Sequence, residues 1–327
     1  MCVGVATVAR RDQQYGSTTI GSLLEGLTQS ERKSMFVNVL VAHSDPAKHP
    51  NANDRWMRIL PDHVLHHDSD SPDYNQIVAW EEGGWYRNKT IYDYTYLPRD
   101  CYNTNSEYIA MIEDDTIAAR GWYKQALQAL DTVSKTMQTR AQTRWAYLRL
   151  FYVEDLLGWN SGERPEYLFW SLVVWGILSF SMLYVKKHFW RRIDTTSYVA
   201  IAFVSGVFLP LTIGLHFMAG CQIVWPVPAG VKEMNKYGCC SQALVFPQAV
   251  MPLILARSDL TTDWLVDMMI EQIADKEHLD RWAVVPAIFH TSAPQVRKAM
   301  ASTPMRGSCG TSGLKIVHHD PQSSGIG

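Results

Sequence analysis

The stretch YIAMIEDD, residues 108–115, places five largely apolar residues directly before three consecutive acids. An apolar run of this length is typical of a buried strand, and the acids indicate that it emerges at the edge of a sheet. In open α/β sheets, ligands bind at the carboxyl ends of the strands. We therefore expect Glu113, Asp114 and Asp115 to lie where a substrate binds.

These three acids also suit a particular chemistry. Mg²⁺ and Mn²⁺ favour carboxylate oxygens and often complete their coordination with substrate phosphates. A divalent ion held by Asp114 and Asp115 would neutralise the charge that develops on a departing diphosphate. Three acids after a strand are also typical of a solvated turn or a helix N-terminus, so the metal hypothesis depends on the surrounding fold.

The sequence before this stretch predicts the start of a nucleotide-binding fold. Residues 3–8 form an apolar strand pattern, residues 18–27 carry apolar side chains at helical spacing, and residues 35–42 form a second β-rich run. Strand, helix and strand in this order indicate a βαβ unit with parallel strands. The chain is therefore predicted to have an α/β fold.

Other segments carry weaker patterns. The polar, proline-containing residues 43–73 are predicted to be mostly loop. The further predicted helices are 89–101, 121–133 and 260–273, and the further predicted strands are 145–153 and 282–289, the last interrupted by Pro286.

Two long uncharged runs, residues 167–185 and 198–220, interrupt this pattern. A membrane-spanning helix needs about 20 largely apolar residues, so the runs predict a transmembrane hairpin. Buried helices of a large soluble core are the alternative, although such helices normally show a polar face. The basic residues between the runs place that loop in the cytosol and the flanking sequence in the lumen of a secretory compartment.

Composition narrows the functional classes. With 30 Lys and Arg against 32 Asp and Glu, the chain offers no basic surface for nucleic acid. The six cysteines fit neither a zinc motif nor a redox pair, and one or two disulfides are possible in a lumenal protein. Asn88 begins a glycosylation sequon, which is compatible with that location.

The sequence predicts a catalytic domain in two parts, residues 1–166 and 221–292. Residues 167–220 form the predicted hairpin, with a cytosolic loop at 186–197, and residues 293–327 form a predicted disordered tail.

Six ordered segments carry a resemblance to a known family. They are VGVATVARRDQQY (3–15), KTIYDYTYLPRDC (89–101), YIAMIEDDTIAARGWY (108–123), LRLFYVEDLLGWNS (148–161), LTTDWLVDMMI (260–270) and VVPAIFH (284–290). With the hairpin, they resemble the membrane glycosyltransferases that add a side-chain N-acetylgalactosamine to the glycan of GPI anchors. More distantly, they are similar to the N-acetylglucosaminyltransferase IV enzymes of N-glycan branching.

The resemblance implies a GT-A-like nucleotide-sugar-binding sandwich with the hairpin inserted, a UDP-sugar donor, Mn²⁺ or Mg²⁺, and a multi-pass Golgi membrane protein with a lumenal catalytic domain. It implies inverting transfer of a sugar, an N-acetylhexosamine, to a mannose of a GPI glycolipid or GPI-anchored protein. The alternatives are an N-glycan or glycolipid acceptor, or a catalytically degenerate membrane scaffold.

The resemblance also suggests roles for individual residues. Inverting transfer needs a general base that takes the proton of the acceptor hydroxyl; Asp263 is the first candidate and Asp267 the second, and stabilisation of a helix N-terminus is the alternative for both. The candidate metal ligands are Asp114, Asp115 and His290, although a lone His is often structural. The candidates for binding the donor nucleotide are Thr7, Arg10, Arg11, Lys89, Asp93, Glu113 and Asp114, with surface salt bridging as the alternative for the charged ones.

The chain departs from the family pattern at both ends. The related enzymes carry an N-terminal membrane anchor, whereas this sequence starts at the first catalytic strand. After His290 the family pattern gives way to a stretch rich in Ser, Gly, Thr and Pro.

Overall fold

The structure, a computed structural model, shows a mixed α/β protein built on one large sheet. It describes residues 1–11, 13–140, 144–151, 159, 163–189, 196–220, 224, 228–234, 240–256 and 265–292. The predicted base Asp263, residues 190–195 of the predicted cytosolic loop and the predicted tail at 293–327 lie outside these residues.

The strands form two sheets within the described part of the chain. They are β1 (Cys2–Thr7), β2 (Phe36–Val41), β3 (His63–Leu65), β4 (Tyr108–Glu113), β5 (Thr116–Ala118), β6 (Trp145–Arg149), β7 (Gly230–Glu233), β8 (Ala243–Pro247), β9 (Asp280–Val285) and β10 (Phe289–Thr291). The large sheet has the order β3-β2-β1-β4-β8-β6-β9-β7, and β5 pairs with β10. Only β8 and β7 run against their neighbours in the large sheet, so the carboxyl ends of the other strands meet at one edge.

The helices are α1 (Gly16–Leu24), α2 (Gln29–Lys33), α3 (Arg55–Ile59), α4 (Tyr74–Glu82), α5 (Tyr86–Asn103), α6 (Trp122–Thr139), α7 (Arg164–Phe189), α8 (Thr196–Phe203), α9 (Leu209–Met218), α10 (Met251–Leu255) and α11 (Val266–Lys276). Helices α1 and α6 pack on one face of the large sheet and α5, α10 and α11 on the other, whereas α7, α8 and α9 pack against one another. Because successive strand residues point to opposite faces, Val5 packs into one core with α1 and α6, whereas Met111 packs into a second core with α5, α10 and α11.

Helix α5 is held against β1 at two levels. A disulfide joins Cys101 to Cys2 at the amino end of β1. Further along, Leu97 packs so tightly against Gly4 that a Cβ there would lie 3.0 Å from the Leu97 side chain. The disulfide closes a loop with a sequence separation of 99 residues, which stabilises the fold by about 4–5 kcal/mol in the chain-entropy model. These contacts direct the N-terminal half of α5 toward the carboxyl edge of the sheet.

Most predicted elements of the catalytic part are confirmed, and two differ. Residues 43–73 are mostly loop, as predicted, and also contain the short helix α3 and the edge strand β3. Helix α11 begins at Val266, after the start predicted at residue 260. The run at 282–289 is two strands, β9 and β10, that belong to different sheets and are separated around Pro286. The prediction of one strand there was wrong because apolar residues continue past the proline, and residue type alone does not mark a change of sheet.

Two helical segments meet the length and composition needed to cross a membrane. Arg164–His188 has a mean hydropathy of 1.9 and Tyr198–Met218 one of 2.1, and neither is covered by the rest of the protein. Their apolar side chains face outward on all sides, as in Leu172 and Leu211, which are 56% and 67% exposed. A soluble core helix would hide such surface, so the exposure supports a membrane hairpin over the buried alternative.

The second span contains a π-helical segment, Val204–Phe208, just before Pro210. In π geometry the carbonyl of Ser205 would accept from the residue five positions later, and that residue is Pro210, which has no N–H. The indole N–H of Trp175 on α7 instead donates to Ser205 O at 2.7 Å. The opposite helix therefore satisfies the carbonyl that the proline leaves without a partner, as a membrane interior requires.

Candidate active site

The acidic turn after β4 is held in place by its backbone. The Thr19 hydroxyl on α1 lies 2.6 Å from the Asp114 carbonyl and 2.7 Å from the Thr116 carbonyl, between which its single proton is shared. On the other side, Ser292 donates its backbone N–H and its hydroxyl to the Asp115 carbonyl, both at 2.7 Å. Elements that are far apart in sequence therefore position this turn.

The Asp114 carboxylate is buried and accepts three donors. The Thr7 hydroxyl donates to Oδ2 at 2.9 Å, the Val8 backbone N–H donates to the same oxygen at 3.2 Å, and Arg10 donates to Oδ1 at 2.5 Å. Asp114 is only 2% exposed. Its side chain therefore joins the end of β1 to the end of β4, and the Thr7 hydroxyl helps to hold this acid in place.

A histidine completes the support of Thr7. His49 Nδ1 accepts the Asn51 backbone N–H at 3.1 Å, so the proton of the neutral ring lies on Nε2, which donates to Thr7 Oγ1 at 3.1 Å. Burial lowers the pKa of His49, and nearby His43 lowers it further. The ring therefore stays neutral, and Thr7 accepts from it while donating to Asp114.

Asp115 differs from Asp114 in what its oxygens contact. Its Oδ2 lies 3.7 Å from the Arg10 guanidinium, whereas its buried Oδ1 has no hydrogen-bond partner among the described residues. Burial raises the pKa of Asp115; Arg10 opposes this rise and the negative charge of Asp114 adds to it. A buried carboxylate oxygen without a partner is unfavourable unless a cation or donor completes it, and Asp115 therefore fits a bound metal better than Asp114 does.

Glu113 lies on the opposite face of the sheet from Asp114. The Ser241 hydroxyl donates to its Oε1 at 2.6 Å. Burial raises the pKa of Glu113 to about 7; the Ser241 hydrogen bond opposes this rise, and the charges of Asp115 and Asp114 add to it. Glu113 thus faces the segment before β8 and stands apart from the cluster around Thr7.

The segment that begins at Cys240 is fixed from two sides. Its backbone N–H donates to Asp267 Oδ2 at 3.1 Å, and its carbonyl accepts from Arg149. Cys240 has a φ of +77°, a conformation that costs a non-glycine residue energy and that these two contacts hold. Asp267 also accepts the Met268 N–H at 2.8 Å in the first turn of α11, so its observed contacts are those of a residue that holds the loop and the helix terminus.

Arg149 proves to be fully buried at the end of β6. Besides the Cys240 carbonyl, it contacts Glu271 at 3.2 Å and the Tyr147 hydroxyl at 3.3 Å. Glu271 in turn pairs with Arg281 at 2.6 Å. This buried network anchors α11 to the sheet beside the acidic turn.

Lys89 and Asp93 form a separate buried pair. Lys89 Nζ lies 2.8 Å from Asp93 Oδ2, 3.1 Å from the Ala42 carbonyl and 3.2 Å from His67. His67 Nε2 also lies 3.0 Å from Asp93. These contacts join α5 to the chain after β2, so the two residues hold the fold near the carboxyl edge.

The remaining candidates are less connected. Arg11 is exposed beside Arg10. His290 is exposed in the middle of β10, opposite Ile117 of β5, which follows the acidic turn. Within the described ranges, no three His, Cys, Asp or Glu side chains are grouped as a ready metal site. The metal roles of Asp114, Asp115 and His290 therefore stay predictions.

Sequence reasoning missed the residues that support the acids. Thr19 and Ser241 contact the acidic stretch directly, and His49 contacts Thr7, which donates to Asp114. None belongs to a motif with recognisable spacing, and only a spatial contact marks them. Together with Arg10 they give the site one cation, a buried carboxylate oxygen that lacks a partner, and a rigid turn, which suit an anionic ligand bound with a divalent ion.

Comparison with known proteins identifies the family to which the chain belongs. A search among curated proteins found no significant match. The family model of the GPI-N-acetylgalactosamine transferase PGAP4 matches residues 1–290, a range that includes the acidic turn, the hairpin and every candidate residue named above. The chain therefore belongs to this family of glycosyltransferases.

Proposed function

We propose that the protein is an inverting, metal-dependent transferase with a GT-A-like fold, which moves N-acetylgalactosamine from a UDP-sugar to a mannose of the GPI glycan. The observation that carries the proposal is the buried Asp115 Oδ1, which has no hydrogen-bond partner within the described ranges and lies beside Arg10 at the carboxyl edge of the sheet. Family membership supplies the transferase class and the GPI glycan.

Mn²⁺ or Mg²⁺ would be held by Asp115, with phosphate oxygens of the donor supplying further ligands. When bound there, the ion would neutralise charge on the departing diphosphate. His290 remains a candidate ligand because its strand is joined to β5 directly after the turn. Asp114 already accepts three donors, so its role is to position Arg10 and the turn.

Arg10 supplies the second positive charge. Its side chain is 34% exposed while one end contacts Asp114, so it is accessible to an anion at the surface of the cleft. Guanidinium groups bind phosphate oxygens through paired hydrogen bonds. We expect Arg10 to orient the diphosphate, with Arg11 beside it on the exposed side.

Inverting transfer also needs a base opposite the leaving group. That base takes the proton of the mannose hydroxyl as its oxygen bonds to the anomeric carbon, while the bond to the diphosphate breaks. Asp263 is our first candidate. Asp267 is the second, and its contacts with Cys240 and Met268 favour a positioning role.

The membrane hairpin supports a lipid-linked acceptor. An active site next to the bilayer is close to the glycan of a GPI lipid, which lowers the entropic cost of bringing the reactants together. The Cys2–Cys101 disulfide is typical of an oxidising compartment, and the basic loop between the spans is typical of the cytosolic side. We therefore propose a Golgi membrane protein with a lumenal catalytic domain.

The test uses the full chain in lipid nanodiscs with UDP-N-acetylgalactosamine and a mannosylated GPI fragment. We expect transfer with Mn²⁺, loss of transfer with EDTA, and a fall of about 100-fold for Asp115→Asn, by analogy with other losses of transition-state charge stabilisation. Asp131→Asn, in an exposed ion pair with Lys135, is the matched control and should stay fully active.

Two results would overturn the proposal. Undiminished activity in EDTA would rule out the metal, and undiminished activity of the Asp115 variant would rule out its role. Preferred transfer to a complex N-glycan or to a glycolipid without the GPI core would instead reassign the acceptor.

A further inference from the structure

Helix α5 brings one tyrosine to the sheet edge beside the acidic turn. The disulfide places Cys101 at the amino end of β1, and Leu97 lies over Gly4. A helix rises about 1.5 Å per residue and a strand about 3.3 Å, so Tyr94, nearly one turn beyond Leu97, approaches the level of Ala6. Ala6 pairs with Glu113 of β4. Side chains on a helix lean toward its N-terminus, which directs the Tyr94 ring further toward this edge.

The Tyr94 hydroxyl is buried and lacks a partner. The residue is 9% exposed, and its hydroxyl oxygen makes no hydrogen bond among the described residues. Buried hydroxyl groups are nearly always hydrogen-bonded, and an exception requires an explanation. The ring belongs to the apolar core that α5 shares with α10 and α11, so packing holds the ring while its hydroxyl stays without a partner among the described residues.

The surroundings of this hydroxyl are polar and charged. Burial raises the pKa of Tyr94 well above its usual value, and among the charges that act on it are those of Glu113, Arg149 and Asp267. The hydroxyl therefore keeps its proton and can both donate and accept. Ser241 donates a hydrogen bond to Glu113, one of these charged groups.

We propose that the Tyr94 hydroxyl binds a hydroxyl group of a substrate sugar ring, which lies over the sheet edge between Asp115 and Asp267. The inference rests on the proposed function and adds a residue that determines how the sugar is held. A neutral group that donates and accepts matches a sugar hydroxyl, whereas a phosphate would be repelled by the acidic groups of Glu113 and Asp267. The phosphates bind on the Arg10 side of the edge and the sugar on the Tyr94 side.

The sugar could come from the donor or from the acceptor, and the experiment separates the two. We measure hydrolysis of UDP-N-acetylgalactosamine without acceptor, and transfer to a mannosylated GPI fragment, with the full chain in nanodiscs. A loss for Tyr94→Phe in both reactions identifies the donor sugar. A loss in transfer alone, with a raised KM for the GPI fragment, identifies the acceptor sugar.

The expected loss is about tenfold in kcat/KM, the usual effect of removing one neutral hydrogen bond to a substrate. Because the hydroxyl has no partner in the described part of the chain, Tyr94→Phe should leave the melting temperature unchanged or raise it. Tyr123→Phe is the matched control: this buried hydroxyl contacts Ser34 at the other end of the sheet, so its removal should lower the melting temperature and spare activity.

Distinct outcomes separate a failure of the Tyr94 proposal from a failure of the proposed function. An active wild type with an equally active Tyr94→Phe variant overturns this inference and leaves the proposed function standing. A Tyr94→Phe variant that loses thermal stability as Tyr123→Phe does also overturns it, because the hydroxyl would then have a structural partner. A wild type that neither hydrolyses nor transfers the sugar overturns the proposed function itself.

Discussion

Replacing Thr7 by valine tests how the acidic turn is supported. Thr and Val have nearly the same shape, so Thr7→Val removes one hydroxyl and creates little cavity. That hydroxyl accepts from His49 Nε2 at 3.1 Å and donates to Asp114 Oδ2 at 2.9 Å. The residue is 2% exposed, so water cannot readily replace the lost group. The variant therefore leaves two buried groups each short of one partner.

The expected loss of stability in Thr7→Val follows from those two groups. A buried donor or acceptor that loses its partner costs about 1–3 kcal/mol. His49 Nε2 loses its partner, whereas Asp114 keeps the Val8 N–H and Arg10, so its cost lies at the lower end of the range. We expect Thr7→Val to destabilise the protein by about 2–4 kcal/mol. We also expect lower transfer activity, because Asp114 then holds Arg10 less firmly.

Thermal unfolding in nanodiscs, followed by intrinsic tryptophan fluorescence, measures the first effect, and the UDP-sugar transfer assay measures the second. Thr7→Ser is the control, since it keeps the hydroxyl and loses only a methyl group. It should retain most of the hydrogen-bonding contribution and the activity. A Thr7→Val protein that unfolds at the wild-type temperature would refute the reasoning, because it would show that the hydroxyl contributes nothing to the support of Asp114.

Two further predictions concern other parts of the chain. Trp175→Phe removes the donor to the Ser205 carbonyl and should weaken the hairpin by about 1 kcal/mol in SDS-titration unfolding; Trp170→Phe, at a lipid-exposed position, is the control, and equal effects of the two variants would contradict the role of the indole. Burial alone would raise the pKa of Glu81, but hydrogen bonds from His43 and from a backbone N–H lower it from 4.5 to about 2. The ionised Glu81 therefore contributes of the order of 2–3 kcal/mol to the free energy of unfolding. This contribution is fully present above pH 4.5 and is lost as the pH falls toward 2. Chemical denaturation across that range should therefore show that the free energy of unfolding depends less on pH in Glu81→Gln than in the wild type. Equal pH dependence in the two proteins would contradict this role of Glu81.

Strands and helices that carry a clear periodic pattern were predictable. The apolar runs at 35–42 and 108–112 became β2 and β4, and the helix at 89–101 became the middle of α5. Each element buries one face or both faces, so its residue pattern records its environment. The change of sheet after Val285 was not predictable, because it depends on which strand edge the chain meets.

The candidate site was predictable in one part only. Asp114 and Asp115 follow a strand, and strand ends identify a binding edge. The orientation of each acid could not be predicted from the sequence, because neighbouring side chains point in different directions at a turn. As a result, Glu113 contacts Ser241 on one face, whereas Asp114 contacts Thr7 on the other.

Local sequence by itself determined the α/β class, the membrane hairpin and the acidic turn, because runs of apolar residues and the charges that end them act over short distances along the chain. Tertiary structure alone decided which groups meet at that turn: Thr19 and Ser292 contact its backbone, and His49 contacts Thr7, which donates to Asp114. It also left the Asp115 oxygen and the Tyr94 hydroxyl buried without partners among the described residues. Buried polar atoms without partners result from packing between segments that are distant in sequence, and a linear pattern does not record them.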